Sequence, residues 1–315
     1  MVVQNLNQRA DQIAAQAIAH SNSLRIQVVD MQGLQVLDFG VAVEGGLAAG
    51  VLLARMCMAG LADVSVTDGD SLMPELPRVL VRTDHPLEAC LLSQYAGWKV
   101  ATEDYFAMAS GPMRCVARQE PLFDEFATQE TGNTAIGVLE SGALPTDGAI
   151  EFLKRGVRDA SSVTVAVAPT ASQSGTIQVV ARSLETAMHK LHELKFPVSA
   201  IVSGTGVSPL PPVAADDLNG IGRTNDAILY GATVNLWVRC EDKVIEDIGP
   251  QVPSSASPSC GQTFLTLFEA AGRDFYGMDK ALFSPAVVVF NNLQTGRSFV
   301  FGETNRDLLC ASFGI

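Results

Sequence analysis

Residues 163–196 read VTVAVAPTASQSGTIQVVARSLETAMHKLHELKF, and the fold class turns on them. VTVAVA is short, apolar and β-branched, the pattern of a buried strand, and Pro169 ends it. Residues 170–175 form a loop in which all but one residue is Thr, Ala, Ser or Gly. The helix that follows carries Ile177, Val180, Leu184, Met188, Leu191 and Leu194 at the 3-and-4 spacing of one buried face. At about 100° per residue, Gln178, Arg182, Glu185, His189 and His192 fall together on another flank. Arg182 and Glu185 are three apart, so their side chains can meet. A pair at that spacing is most often solvated and contributes roughly a few tenths of a kcal/mol. Its meaning depends on the rest of the chain.

The 315 residues are 47% apolar and only 17% charged, with a mean hydropathy of +0.22. That is enough apolar material for a large core divided between two lobes, and it excludes a disordered chain. Net charge is −13 with no basic run, which argues against a nucleic-acid partner. The six cysteines, at 57, 90, 115, 240, 260 and 310, have no CxxC spacing and read as core thiols of a reducing compartment. No metal site is read. The N-terminal stretch is polar and helical rather than a signal peptide. The most apolar run, from Gly45, is glycine-rich and broken by Arg55, so it reads as a buried helix and not a membrane span. A cytoplasmic protein is expected.

Around the opening stretch the order is mixed. Residues 5–20 form an amphipathic helix, and LRIQVVDMQGLQVLDFG a hairpin turning at Met31, Gln32 and Gly33. Gly45 and Gly46 either open a helix onto a ligand or make a tight turn. PRVLVRTDHP is a strand ending in an Asp84/His85 pair, which is either catalytic or, more commonly at such a place, has Asp84 capping the next helix, residues 88–96, which Gly97 terminates. Ser110 and Gly111 sit in a turn at a strand edge, a position used for ligands and for plain turns alike. TAIGVLE ends in Glu140, at the carboxyl end of an apolar strand, where α/β folds bind ligands. GTGVSP is not a dinucleotide fingerprint and no P-loop is present. GRTNDAILYGA reads as a polar turn whose Arg223, Asn225 and Asp226 must pair with one another or with a ligand. VPSSASPSCGQTF reads as a flexible loop, FSPAVVVFNNLQTGRSFVFG as a hairpin, and the apolar tail as docked. The expected architecture is α/β with mixed elements. It comprises two α/β lobes, approximately residues 1–160 and 161–315, which are allowed to be discontinuous, with an active-site pocket between them.

Several segments taken together resemble the methenyltetrahydromethanopterin cyclohydrolases. These are TDHP at 83, AGW at 96, DYFAMASGP at 104, VAPTAS at 167, ARSLETAMHKL at 181, GRTNDAILYG at 222, DFYGMD at 274 and FSPAVVVFNNLQTG at 283. They occur in the family's order and cover nearly the whole chain. The resemblance implies an enzyme of one-carbon metabolism that reversibly hydrolyses N5,N10-methenyltetrahydromethanopterin to N5-formyltetrahydromethanopterin. It implies no metal, no cofactor beyond the tetrahydromethanopterin substrate, and a homotrimer. The family's catalytic Arg and Glu match Arg182 and Glu185, and Glu140 matches a further active-site carboxylate. Archaeal members carry Lys in the segment that reads SQYAGW here; Tyr95 stands in its place and brings no fixed positive charge.

The substrate's methenyl carbon lies between two nitrogens in an electrophilic amidinium-like cation. It needs a water delivered and deprotonated, and then a proton for N10 as that bond breaks. One carboxyl group can do both, and Glu185, oriented by Arg182, is the expected group. Thr170, Ser172 and Ser174, at a helix N-terminus, suit an anion on the substrate's tail or simply permit the turn. The expected substrate contacts are therefore Tyr95, Ser110, Gly111, Thr170, Ser172, Arg223 and Asp226. Two other classes remain open: a pterin or folate amidohydrolase or formyl transferase on the same scaffold, and a non-catalytic pterin-binding protein.

Overall fold

The β-branched run becomes the strand Ser162–Ala168, buried along all but its first residue. The structure is a computed structural model and describes residues 5–126, 130 and 132–315, with Tyr276 described by its backbone alone. In chain order the strands are β1 (Gln27–Met31), β2 (Leu34–Asp38), β3 (Asp63–Thr67), β4 (Arg78–Thr83), β5 (Trp98–Ala101), β6 (Phe106–Ser110), β7 (Thr134–Glu140), β8 (Ser162–Ala168), β9 (Ile201–Pro209), β10 (Thr233–Val238), β11 (Val287–Asn292) and β12 (Ser298–Gly302). Among the described residues they form two six-stranded sheets, β1-β2-β8-β7-β6-β5 and β12-β11-β10-β9-β4-β3. Both mix parallel and antiparallel pairs and both carry helices, so the chain is α/β as expected. It divides into two units. The first comprises the described residues up to Ala62 with Glu88–Gln178, the second Asp63–Leu87 with Val179–Ile315. The units interleave along the chain, whereas the sequence reading drew its approximate border at 160/161.

In the first unit, the β1/β2 hairpin turns through Gln32 (φ 57°) and Gly33 (φ 76°), the left-handed pair of a two-residue hairpin loop. Strands β2, β8 and β7 are parallel, with Asp38 opposite Val167 and Glu140 opposite Ala168. Their carboxyl ends therefore lie along one edge of the sheet. Central strands covered on both faces need near-continuous apolar sequence, and β7 and β8 have it. On one face Ile150 and Leu153 of the helix Asp147–Gly156 pack with Val36, Val100, Leu139 and Val165. On the other, Ile13, Leu53 and Met56 of the helices Leu6–Ala19 and Leu47–Cys57 pack with Leu37, Ile136 and Ala166.

In the second unit, β3, β4, β9 and β10 pair antiparallel, β10 and β11 parallel, and β11 and β12 close the expected hairpin. The tail docks through the helix Arg306–Phe313, which buries Leu309 and Phe313.

Several local readings are corrected. The helix expected to run unbroken from Ile177 to Leu194 is two, Gln173–Val180 and Ser183–Glu193. Arg182 N–H bonds to Val179 O at 3.0 Å, a tighter i→i−3 turn that redirects the axis. GRTNDAILYG is not a polar turn but part of the helix Asp217–Gly231, started by Asp216 accepting from Asn219 N–H at 2.9 Å. Within it, a Cβ on Gly222 would lie 3.1 Å from Leu265 Cβ, so the glycine admits a neighbouring helix. The helix expected over residues 88–96 is a wide-turned π-helix, Leu87–Gln94, rather than an α-helix capped by Gly97, which is not left-handed. VPSSASPSCGQTF is packed, not flexible. Val252, Ser254 and Ser257 are buried, with the serine hydroxyls donating to Leu229 O and Asp279 Oδ2. Asp84 does not cap a helix; it accepts from Ser203 Oγ at 2.7 Å. The two glycines at 45 and 46 lead directly into the helix Leu47–Cys57, with Gly46 as its N-cap residue, and they serve close packing. A Cβ on Gly45 (φ 62°) would collide with Phe39 O and Ser174 Oγ.

Candidate active site

Arg182 and Glu185 lie at the start of the helix Ser183–Glu193 in the second unit. Arg182 is its N-cap residue and Glu185 stands in its first turn, where a carboxylate is favoured by the helix dipole. Their side chains are 8% and 7% exposed, and Arg182 Nη1 is 3.7 Å from Glu185 Oε2. This is not the solvated pair that spacing alone makes commonest. Taking both charges out of water costs several kcal/mol per ion by general estimate, so the fold spends stability to keep them there.

The sequence allows that burial through β9. Gly204 and Gly206 leave room for the start of the helix: a Cβ on Gly204 would lie 2.7 Å from Leu184 Cδ1, and one on Gly206 would strike Ser183 Oγ and lie 3.0 Å from Leu184 N. The GTG run is thus a seat for the helix. His189 and His192, on the same flank in sequence, are half-buried. Lys190, which the sequence reading passed over, is buried, and its Nζ donates to Ala281 O at 2.9 Å. Burial pushes its pKa down, against the pull of Asp279 and Glu193.

In the first unit, Glu140 ends β7 and is half-buried. It stands in a lateral row with Met108 of β6 and Ala168 of β8, next to the point where residues 169–172 leave the sheet. Ser172 Oγ donates to Pro169 O at 2.8 Å and accepts from Gly175 N–H at 3.0 Å. It therefore caps the helix Gln173–Val180. Thr170 is buried and its carbonyl accepts from Thr176 Oγ1 at 2.9 Å. Ser174 Oγ accepts from Gly46 N–H at 3.2 Å. Asp38, at the end of parallel β2, is fully buried and takes Gly40, Val41 and Ala42 N–H at 2.9, 2.6 and 2.8 Å.

The remaining candidates separate. Ser110 is fully buried, with its Oγ 3.2 Å from Cys57 Sγ and 3.4 Å from Val138 O. Gly111 (φ 90°) packs against β7, where a Cβ would lie 3.2 Å from Gly137 Cα. Arg223 Nη1 donates to Pro212 O at 3.1 Å. Asp226 is fully buried and takes Phe264 N–H at 2.7 Å. Burial pushes its pKa up to about 7, against the Ser312 hydroxyl and the Phe264 N–H. Tyr95 is half-buried and follows directly on the π-helix. Its ring centre lies 5.1 Å from Cζ of Arg114, a fully buried cation to which the sequence reading gave no role. The available signal was an arginine inside the apolar run MRCVA. Among the described residues no three His, Cys, Asp or Glu gather as a metal-binding group, and no described helix is long and apolar enough to cross a membrane.

Residues 5–313 match the family model described as Cyclohydrolase (MCH). The chain is 46% identical over 299 residues to the methenyltetrahydromethanopterin cyclohydrolase of Rhodopirellula baltica, covering 93% of this chain and 90% of that protein. It is 40% identical over 314 residues to the like-named protein of Methylobacillus flagellatus, covering 98% and 95%. With that of Methanococcoides burtonii it shares 40% over 286 residues, covering 90% and 89%.

Proposed function

The chain belongs to the methenyltetrahydromethanopterin cyclohydrolase family, and on that premise we propose that it hydrolyses the methenyl bridge of its pterin substrate with Glu185 as acid and base. The membership makes it a hydrolase of tetrahydromethanopterin-linked one-carbon metabolism. The observation that supports the finer assignment is the buried pair: Glu185 is within 3.7 Å of Arg182 Nη1 and both are nearly enclosed.

In this reading Glu185 takes a proton from water as the water attacks the methenyl carbon. The tetrahedral carbinolamine then collapses. The C–N10 bond breaks, the pair goes to N10, and N10 takes the proton back from Glu185; the carbinol O–H gives up its own proton to solvent as the C=O forms, leaving the formyl group on N5 with one net proton released. Arg182 holds the carboxylate in one rotamer through these steps. The carbon arrives already electrophilic, so positioning and proton transfer suffice, and the reaction is proposed to run without metal or added cofactor. Glu140 is the second carboxylate, and Tyr95 and residue 170 at the end of β8 are proposed substrate contacts. For Ser110, Gly111, Ser172, Arg223 and Asp226 the internal contacts described above favour a supporting role behind the ligand. The family resemblance carries the further proposal of a homotrimer, checked by sedimentation, and the sequence reading that of a cytoplasmic protein.

The test is loss of the methenyl chromophore with chelator present. Glu185→Gln is expected to lower kcat by about 100-fold or more, the contribution typical of a general acid–base group, while chelator leaves the wild-type rate unchanged. A near-full rate in the variant moves the role to Glu140. No wild-type turnover on the methanopterin substrate, with turnover on a tetrahydrofolate derivative, would instead identify a folate enzyme on this scaffold.

A further inference from the structure

The end of the π-helix Leu87–Gln94 is capped from outside to an unusual degree, and all the groups involved from residue 88 onward belong to the first unit. Tyr95 N–H closes the last wide turn on Cys90 O at 2.8 Å. The carbonyls after Cys90 are taken by groups elsewhere in the fold. Arg114 Nη1 donates to Leu91 O at 3.2 Å and to Ser93 O at 3.1 Å. The Cys115 thiol donates to Leu92 O at 3.2 Å. Gly111 N–H donates to Ser93 O at 2.8 Å. A cation at a helix carboxyl end is favoured by the dipole as well as by the hydrogen bonds.

The other edge of the Arg114 guanidinium makes a two-pronged pair with Glu120, Nε to Oε1 at 2.8 Å and Nη2 to Oε2. That fork geometry fixes the plane of the cation. Gly97 makes room for the carboxylate, since a Cβ there would collide with Glu120 Oε2. Two ring centres lie close to the cation, Tyr95 at 5.1 Å and Phe123 at 5.3 Å from Cζ. Both distances are within the range of cation–π attraction. Arg114 is wholly enclosed and cannot itself meet a ligand. What it holds is the half-buried Tyr95, in the backbone through the end of the π-helix and in the side chain through the ring.

We propose that Arg114 is a positioning residue that fixes the Tyr95 ring as a preorganised wall for the flat pterin, setting substrate affinity more than the rate of hydrolysis. This rests on the reading of Tyr95 as a substrate contact in a cyclohydrolase. A ring held in one orientation before binding loses little freedom on binding, and aromatic side chains suit flat conjugated ligands.

The experiment is a double-mutant cycle on the full chain with Tyr95→Ala, Arg114→Lys and both together. Its readouts are the Kd for tetrahydromethanopterin by calorimetry and the KM and kcat of hydrolysis. Each single change is expected to raise Kd and KM by about tenfold, with kcat falling less, the pattern of lost ground-state binding. The double variant is expected to bind no more weakly than Tyr95→Ala alone, because the two act as one unit. Additive losses, or a Kd unmoved by Tyr95→Ala, would overturn the proposal. Phe123→Leu removes the second ring without leaving an unpaired buried charge and serves if Arg114→Lys does not fold. It is expected to weaken binding severalfold when Tyr95 is present and not at all when it is absent; equal effects in both backgrounds also overturn the proposal. Calorimetry needs no turnover, so a failed acid–base assignment for Glu185 leaves this test readable.

Discussion

Asp226 shows how one carboxyl group can tie the stability of a unit to pH. Its pKa is raised by burial to about 7 in the folded protein, against about 3.9 for an exposed aspartate. The folded state therefore binds the proton more tightly than the unfolded state. The resulting stability is fully present below about pH 4 and is lost as pH rises through about 7. Integrated over that window the loss is at most about 4 kcal/mol. Asp226→Asn keeps an acceptor for Phe264 N–H and cannot ionise. Its Tm is expected to exceed that of wild type at pH 8 and to vary less between pH 5 and 8, read by thermal unfolding at both values. Arg182 and Glu185 were legible in the sequence as a pair by spacing and by family resemblance. Their burial was not, because it depends on two glycines of a strand some twenty residues further on. Asp226 was legible as a polar residue in need of a partner, but that partner, the first N–H of a helix at Phe264, is a tertiary contact that no local pattern announces.

At the scale of elements, the seat of the helix Ser183–Glu193 on β9 is an exacting contact of the candidate site. Gly206→Ala would drive a methyl group into Ser183 Oγ and close to Leu184 N. The second of these is backbone and cannot rotate away. The helix start must shift, at a cost of about 1–3 kcal/mol for overpacking, and it would carry Arg182 and Glu185 with it. Gly206→Ala is expected to lower both Tm and kcat, whereas Gly296→Ala, in open space at a left-handed turn, is expected to lower Tm with kcat kept. Strands and hairpins were read well here because alternation, β-branching and turn residues are local. The misread elements share a cause. GRTNDAILYGA was taken for a polar turn when it is helical and its Gly222 serves the close approach of a neighbour, and the serine- and proline-rich run before Thr263 was taken for flexible when its hydroxyls are spent on carbonyl and carboxylate oxygens. The break at Arg182 is one tight turn inside an otherwise uniform periodicity, which a hydrophobic stripe does not register.

At the scale of the whole molecule, composition and mixed element order indicated two α/β parts, and each proves to hold one mixed six-stranded sheet. Their membership along the chain was not legible, because which strand pairs with which is decided by burial on both faces rather than by order. β8 lies between β2 and β7. A fragment ending at residue 160 therefore lacks a central strand of its own sheet. That fragment is expected to show no cooperative unfolding transition and weak near-ultraviolet circular dichroism, in contrast to the full chain. A cooperative transition in it would mean that the first sheet can close without β8.

The interleaving also sets a timetable for synthesis. β3 and β4 leave the ribosome as a pair, but β4 finds its other neighbour only in β9, which begins at Ile201, more than a hundred residues later. At roughly 5–20 residues per second, the free edge of β4 stays open for on the order of ten seconds in each nascent chain. Over that interval the first sheet can form while the hairpin waits. The edge that is central in the finished sheet is thus, for a time, the place where a growing chain is most open to pairing with another.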